Sequence, residues 1–441
     1  MAKLPVVTKL GFGVGDIGGN LFFTVLSFWG MKYLTDSVLL AGAAAGFAMS
    51  AGRLLDAVFD PVLGLLSDRT RTRWGRRRPY LLFGALPVAL VFVFFFTVPN
   101  SQDQTFLFWW AAITLVVLNM TFSVVNIPYS SLTPELTTDY DERMSLGGYR
   151  MGFAVLGTIL GAVAFGMVAQ AYPGDAPRGF FLAGLIFGAV MAASTLTTAF
   201  SVREPERKQG EAPQVSGSVF GSWRKVLTNG PFVLVIVGYV VNILGITFVS
   251  SMLAYYFEYV LHDAGATTLA LGLLLLVAAA FIPVSVWVSG KIGKIRTYQL
   301  AMVLLAAACA LIGLLGTSVG SGGVLGIMVF AGIGMGFAYA PPFALVPDTI
   351  EVEAKRTGFR EEGSYYGFMT FSTKLGQSLA SLVIGTVLGL SGYAANQEQT
   401  TQALDAIQWM TSPIPVVLFL VAAVILQFYP LDKKTYETLV K

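Results

Sequence analysis

Asp56 and Asp60 stand four residues apart inside a long apolar stretch. On a helix that spacing puts both carboxylates on one face, a turn from each other, where they repel. In a low-dielectric interior one of them takes a proton or both share a cation. Pro61 follows directly and leaves a carbonyl of the preceding turn without its helical donor, a further oxygen for such a site. Oxygen ligands with no thiol or imidazole suit Na⁺, Li⁺ or H⁺ rather than a transition metal. The bland alternative for Asp60 is that it satisfies a proline kink.

Four more ionisable side chains fall inside apolar stretches: Asp16, Arg53, Arg150 and Lys374. With Asp56 and Asp60 they make three negative and three positive groups able to neutralise one another. A charge in a membrane interior costs several kcal/mol and marks a functional site by default. The structural alternative is an ion-pair network that locks helices together. Polar residues recur at helical spacing around these charges: Asp16, Asn20, Thr24 and Ser27; Asn119, Ser123, Asn126 and Ser130; Thr370, Lys374, Ser378 and Ser381. Such stripes face protein or water rather than lipid, and their Ser and Thr members also serve as helix-packing contacts. Asp16, Asn126, Arg150 and Lys374 are read as lining a polar cavity.

The elements that must hold these groups are membrane spans. Of 441 residues, 55% are hydrophobic and 12% charged, with a mean hydropathy of +0.70. A soluble domain carries about twice that share of charge, so the solvent here is a bilayer. Apolar stretches long enough to cross it occur at about 10–34, 40–67, 80–98, 105–132, 145–171 and 178–200. They resume at about 231–260, 267–289, 297–316, 322–346, 364–391 and 405–429. The expected fold is an all-α membrane protein of twelve transmembrane helices in two six-helix bundles, residues 1–201 and 231–441. A polar segment, 202–230, reads as a cytoplasmic linker. Trp29 and Trp223 are read as interfacial anchors, and His262 as a solvated loop residue.

Lys and Arg give the orientation. Only Lys32 and Arg178 fall in the loops of one side, and Arg53, Arg150 and Lys374 fall in spans; all others lie at the termini and in the loops of the opposite side. The positive-inside rule places both termini in the cytoplasm. PELTTDYDER before Arg150 is echoed by PDTIEVEAKR before Lys374. Parallel repeats of this kind predict a solute site at the midplane between two bundles. One cysteine, Cys309, and one histidine exclude a disulfide scaffold and a Cys/His metal site. No phosphate loop or nucleophile elbow occurs, so neither ATP-driven pumping nor an enzyme is expected, and no cofactor or nucleic-acid partner is implied.

The loop DRTRTRWGRRRP holds six arginines. Beyond its value as a topology signal, it predicts a cytoplasmic gate of ion pairs. Arg73, Arg76 and Arg77 would face acids at neighbouring helix ends, namely Glu135, Asp348 and Glu351, with Asp139 and Asp141 also within the set.

GVGDIGGN, RLLDAVFDPVLGLLSDRTRTRWGRRRPY, NIPYSSLTPELT, GGYR and GFREEGSYYGFMTFSTKLG resemble the glycoside-pentoside-hexuronide:cation symporter family of the major facilitator superfamily, over nearly the whole chain. The resemblance implies the major facilitator fold and symport of a glycoside, pentose or uronide with Na⁺ or H⁺, by alternating access, in a bacterial inner membrane. It implies cation ligands at Asp56, Asp60, Ser123 and Asn126. It implies solute contacts at Asp16, Asn20, Asn126, Tyr129, Ser130, Arg150 and Lys374. Asn126 and Ser130 depart from the melibiose-transporting pattern of an aspartate and a tryptophan, which removes one charge and one stacking platform. The expected partners are a small solute and the bilayer, with the chain acting as a monomer. The alternatives are a lysolipid or amphiphile transporter on the same fold, or a membrane sensor that no longer transports.

Overall fold

The computed structural model describes residues 4–137, 140–172, 174–202, 204, 219–357 and 362–431, all of them in helices or their connections, with no strand. The chain forms two compact units, Met1–Gln214 and Val215–Lys441.

The first unit contains α1 (Val6–Phe28), α2 (Gly42–Arg69), α3 (Arg78–Phe95), α4 (Gln104–Leu136), α5 (Tyr140–Ile159) and α6 (Ala176–Ser201). α5 continues through a π-helical turn, Leu160–Ala164, to Ala169. Local chemistry sets the starts of these helices. Asp103 caps α4 by accepting from the Thr105 amide at 2.9 Å, and Asp175 caps α6 from the Arg178 amide at 3.2 Å.

In lipid, helices gain little from burying apolar side chains against each other, so close backbone approach does much of the work. α1 and α5 show this. A Cβ at Gly157 would lie 2.5 Å from the carbonyl oxygen of Ile17, so only glycine lets the two backbones meet there. At the far end of this seam Trp29 is fully buried and donates its indole N–H to the Ala162 carbonyl at 3.1 Å. The expected interfacial anchor is therefore a core residue, because that carbonyl satisfies its one polar atom.

Lys32 also departs from expectation. It is not in a solvated loop but buried beside a π-helical turn, Tyr33–Ser37, where it pairs with Asp36 at 2.6 Å. Thr35 donates to the other Asp36 oxygen at 2.6 Å. The counter-charge four residues on makes burial tolerable. Leu39 then takes a left-handed conformation, φ 61°.

The second unit contains α7 (Val219–Val226), α8 (Gly230–Tyr255), α9 (Ala266–Ile292), α10 (Lys294–Thr357), α11 (Glu362–Leu390), α12 (Thr401–Thr411) and α13 (Pro413–Gln427). α7 lies within the expected linker. Its Trp223 packs on Phe368 and Phe371 of α11, with ring centroids 5.6 and 4.9 Å apart. Trp223 is thus held by protein rings. α8 ends, like α1, in a π-helical turn, Tyr256–Val260, followed by a left-handed residue, His262 at φ 53°. Around that turn Tyr393 donates to the Tyr259 hydroxyl at 3.0 Å.

Among the described residues ten helices are long and apolar enough to cross a membrane, against twelve expected. Two features account for the difference. α10 is two helices merged across Gly320, whose φ of 64° and ψ of −171° break the helix. α2 is long enough at 28 residues, but Arg53, Asp56 and Asp60 make it too polar on average.

Gly157→Val places a branched side chain against the Ile17 carbonyl. We expect a destabilisation of roughly 1–3 kcal/mol, read as a lower melting midpoint of the purified protein in detergent. An unchanged midpoint would refute the close-approach argument.

Candidate functional site

Three helices of the first unit converge on Asp16. Its carboxylate is buried on α1 and accepts from Arg150 of α5 through both oxygens, Nε at 2.7 Å and Nη2 at 3.0 Å. A two-pronged guanidinium–carboxylate pair is among the stronger charge-assisted contacts and fixes orientation as well as charge. Tyr129 of α4 places its hydroxyl 2.6 Å from Asp16 Oδ2 and 2.9 Å from the Phe12 carbonyl, and its one proton serves either acceptor. Arg150 Nη1 donates to Thr133 Oγ1 at 2.8 Å. The guanidinium lies over the rings of Tyr129 and Phe12, at 4.8 and 5.5 Å from their centroids.

The pair is neutral as a whole, which is what a largely apolar bundle requires. Its hydroxyls, amide-like donors and aromatic faces are groups that can bind a polyhydroxylated solute. Thr133 and Phe12 were not among the sequence-predicted residues. Thr133 lies four residues after Tyr129 and so on the same helical face, the one signal that could have found it. Phe12 carried none.

The second cluster lies on α2. Asp56 is 2% exposed and Asp60 half-buried, one turn apart. Ser123 of α4 donates to Asp56 Oδ1 at 2.6 Å. Arg53 is buried one turn before Asp56 on the same helix. α2 runs unbroken through Pro61, so the Ala57 carbonyl lacks its ordinary amide donor and adds an oxygen beside Asp56. Asp56, Asp60, Ser123 and that carbonyl form an oxygen-rich set able to hold a hard monovalent cation or a proton.

α4 separates the two clusters by face. Asn119 and Ser123 look toward α2, where a Cβ at Gly52 would lie 3.2 Å from Asn119 Nδ2. Phe122, Asn126 and Tyr129 look toward α1. They line a small internal cavity with Gly15, Gly18 and Gly19. Asn126 thus faces the α1 side. Asn20 donates to the Asp16 backbone carbonyl at 2.9 Å, and Ser130 is exposed. Lys374 lies half-buried on α11 of the second unit, with Ser378 and Ser381 buried one and two turns further along.

The arginine loop is organised by a residue the sequence reading did not single out. Glu204, just after α6, accepts from the backbone amides of Arg76, Arg77 and Arg78 at 2.7, 2.8 and 2.7 Å. Gly75, at φ 103°, makes the turn that aims these amides, and a Cβ there would meet the Glu204 carboxylate at 2.6 Å. Arg73 stacks on Trp74 at 4.6 Å. Asp348 is held by Lys294 of its own unit at 2.6 Å, and Glu351 is exposed. The side chains of Glu135 and Asp141, and all of Asp139, lie outside the described residues.

Apolar spans that carry charged and polar side chains on their inner faces define a multi-pass membrane transporter. The chain belongs to the MFS/sugar transport protein family, whose model matches residues 11–433. It is 32% identical to an isoprimeverose transporter of Lactiplantibacillus pentosus, covering 98% of this chain and 90% of that protein. It is 30% identical to the glucuronide carrier protein homolog of Escherichia coli strain K12, covering 98% and 94%. The nucleoside transporter NupG shares the fold, with a TM-score of 0.65 at 14% identity over 96% of this chain and 99% of that one. So does an inward-facing bacterial homolog of the human lysosomal transporter Spinster, with a TM-score of 0.66 at 13% identity, covering 99% and 96%. The chain is a transporter and not an enzyme.

Arg150→Lys keeps the charge but loses the fork to Asp16 and the bond to Thr133. The expected loss is about 1.5–3 kcal/mol, read as a lower melting midpoint than wild type. A midpoint equal to wild type would show that a point charge suffices.

Proposed function

We propose that this protein is a secondary active symporter in a bacterial inner membrane, moving a small sugar or glycoside inward with Na⁺ or H⁺. The observation that carries this reading is the 2.6 Å bond from Ser123 to Asp56, which gathers hydroxyl and carboxylate oxygens inside a span. The names of the relatives, an isoprimeverose transporter and a glucuronide carrier homolog, support a glycoside or uronide as the solute. Asp56, Asp60 and Ser123 hold the cation, and Asp16, Tyr129, Asn126 and Arg150 of the first unit face the solute. Both termini lie in the cytoplasm, by the bias of Lys and Arg toward one side.

The coupling follows from electrostatics. Coupling requires Asp56 and Asp60 to permit reorientation of the fully loaded or fully empty carrier and to oppose it when solute is bound without the cation that neutralises them. Each positive charge carried inward gains about 2.3 kcal/mol per 100 mV of membrane potential, and this drives solute accumulation.

Asp56→Asn and Asp60→Asn, each reconstituted in proteoliposomes, are expected to lose concentrative uptake of a glycoside under a Na⁺ or H⁺ gradient. Exchange of internal for external solute should persist. Accumulation surviving both substitutions would sink the assignment.

Ser123→Ala removes a bond to a charged acceptor, worth about 1.5–3 kcal/mol. The cation concentration for half-maximal uptake should rise roughly ten- to a hundredfold, with the maximal rate nearly kept. A rise in solute KM alone would place Ser123 at the solute instead.

A further inference from the structure

The two ends of the arginine loop, Thr70 and Pro79, border an apolar groove in the first unit. The groove, about 330 Å³, runs between α3 and α4 and is walled by Pro79, Phe83, Pro87, Thr121 and Val124. Its three wall hydroxyls are already satisfied. Thr121 donates back to the Val117 carbonyl at 2.8 Å, and the hydroxyls of Thr70 and Tyr80 bond each other at 2.6 Å. Nothing in the groove asks for water.

The charge at its mouth is one-sided. Between Ser67 and Tyr80 the chain has six arginines and a single acid, Asp68. Arg76, Arg77 and Arg78 are tied by their amides to Glu204, and Arg78 also donates from Nε to the Ala199 carbonyl at 3.0 Å. Arg69, Arg71 and Arg73 remain exposed. A continuous ladder joins Arg73 to the groove: its guanidinium over Trp74 at 4.6 Å, then Trp74 against Phe83, ring centroids 5.6 Å apart. Phe83 is 64% exposed on the groove wall. Cation, interfacial indole and apolar slot therefore follow one another in the order in which a phospholipid presents phosphate, glycerol and acyl chain.

We propose that this groove is a binding site for one anionic phospholipid, its acyl chain against Phe83, Pro87 and Val124 and its phosphate on Arg71 and Arg73. The charge complementarity selects an anionic headgroup over a zwitterionic one, and the apolar slot selects a lipid over a free phosphate. The site needs only the membrane-spanning fold, so it stands or falls independently of the solute and ion assignments.

The test is native mass spectrometry of the detergent-purified full chain, titrated with phosphatidylglycerol and with phosphatidylcholine of identical acyl chains. Phosphatidylglycerol should be retained roughly thirtyfold more tightly, as expected for two arginines near the headgroup. Arg71→Ala/Arg73→Ala should reduce it to the phosphatidylcholine level, and Arg71→Gln/Arg73→Gln gives the same reading should the alanine pair fail to fold. Thr121→Trp fills the slot and should remove retention with the loop charges intact. Arg224→Ala/Lys225→Ala, an exposed basic pair on α7, should keep the preference, and glycerol 1-phosphate should not compete. Equal retention of the two lipids would overturn the proposal. So would a preference that survives the Arg71/Arg73 substitutions or Thr121→Trp, or displacement by glycerol 1-phosphate.

Discussion

An ionised side chain inside a hydrocarbon layer must find its counter-charge or its ion within the protein, because the solvent offers neither. Much of the first unit is arranged around that constraint. Asp16 draws α1, α4 and α5 to one point through Arg150 and Tyr129. Ser123 draws α4 onto α2 at Asp56. The two demands fall on adjacent turns of one helix, α4, so a solute at one cluster and an ion at the other would act on the same rigid element. Coupling between them needs no long pathway.

The sequence made the charges easy to find, because an aspartate or arginine in an apolar span has few innocent explanations. It also gave the spacing that puts Asp56 and Asp60 on one face. It did not tell how a polar stripe is shared among neighbours. Asn119, Ser123, Asn126 and Ser130 read as one face, yet the structure sends Ser123 to α2 and Asn126 to a cavity beside α1, and leaves Ser130 exposed. A stripe three and four residues apart covers a broad arc of helix surface, and which neighbour each part meets is decided by tertiary packing.

Contacts distant in sequence were illegible for the same reason. Glu204 is 128 residues from Arg76, and no local pattern marks a lone glutamate as the acceptor for three backbone amides. The arginine loop drew attention through its side chains, whereas three of its main-chain amides hold Glu204. Lys32 misled in the opposite direction: near a span end it reads as a loop cation, whereas its pairing with Asp36 four residues on lets it be buried. The span at 40–67 was legible as an apolar stretch, although Arg53, Asp56 and Asp60 lower its average hydropathy.

Two of the three π-turns described sit at matching places, Tyr33–Ser37 ending the first span of one unit and Tyr256–Val260 ending the first span of the other, each followed by a left-handed residue. A π-turn carries about one residue more than an α-turn, so each span ends with its later side chains rotated out of phase with its earlier ones. The repeat is thus kept in backbone geometry while the side chains filling it differ. One turn is closed by a desolvated lysine and aspartate, the other is flanked by tyrosine hydroxyls and rings. The chain is symmetric in shape at these two points and asymmetric in what it takes to open them: separating a buried ion pair is far more expensive than parting two phenols.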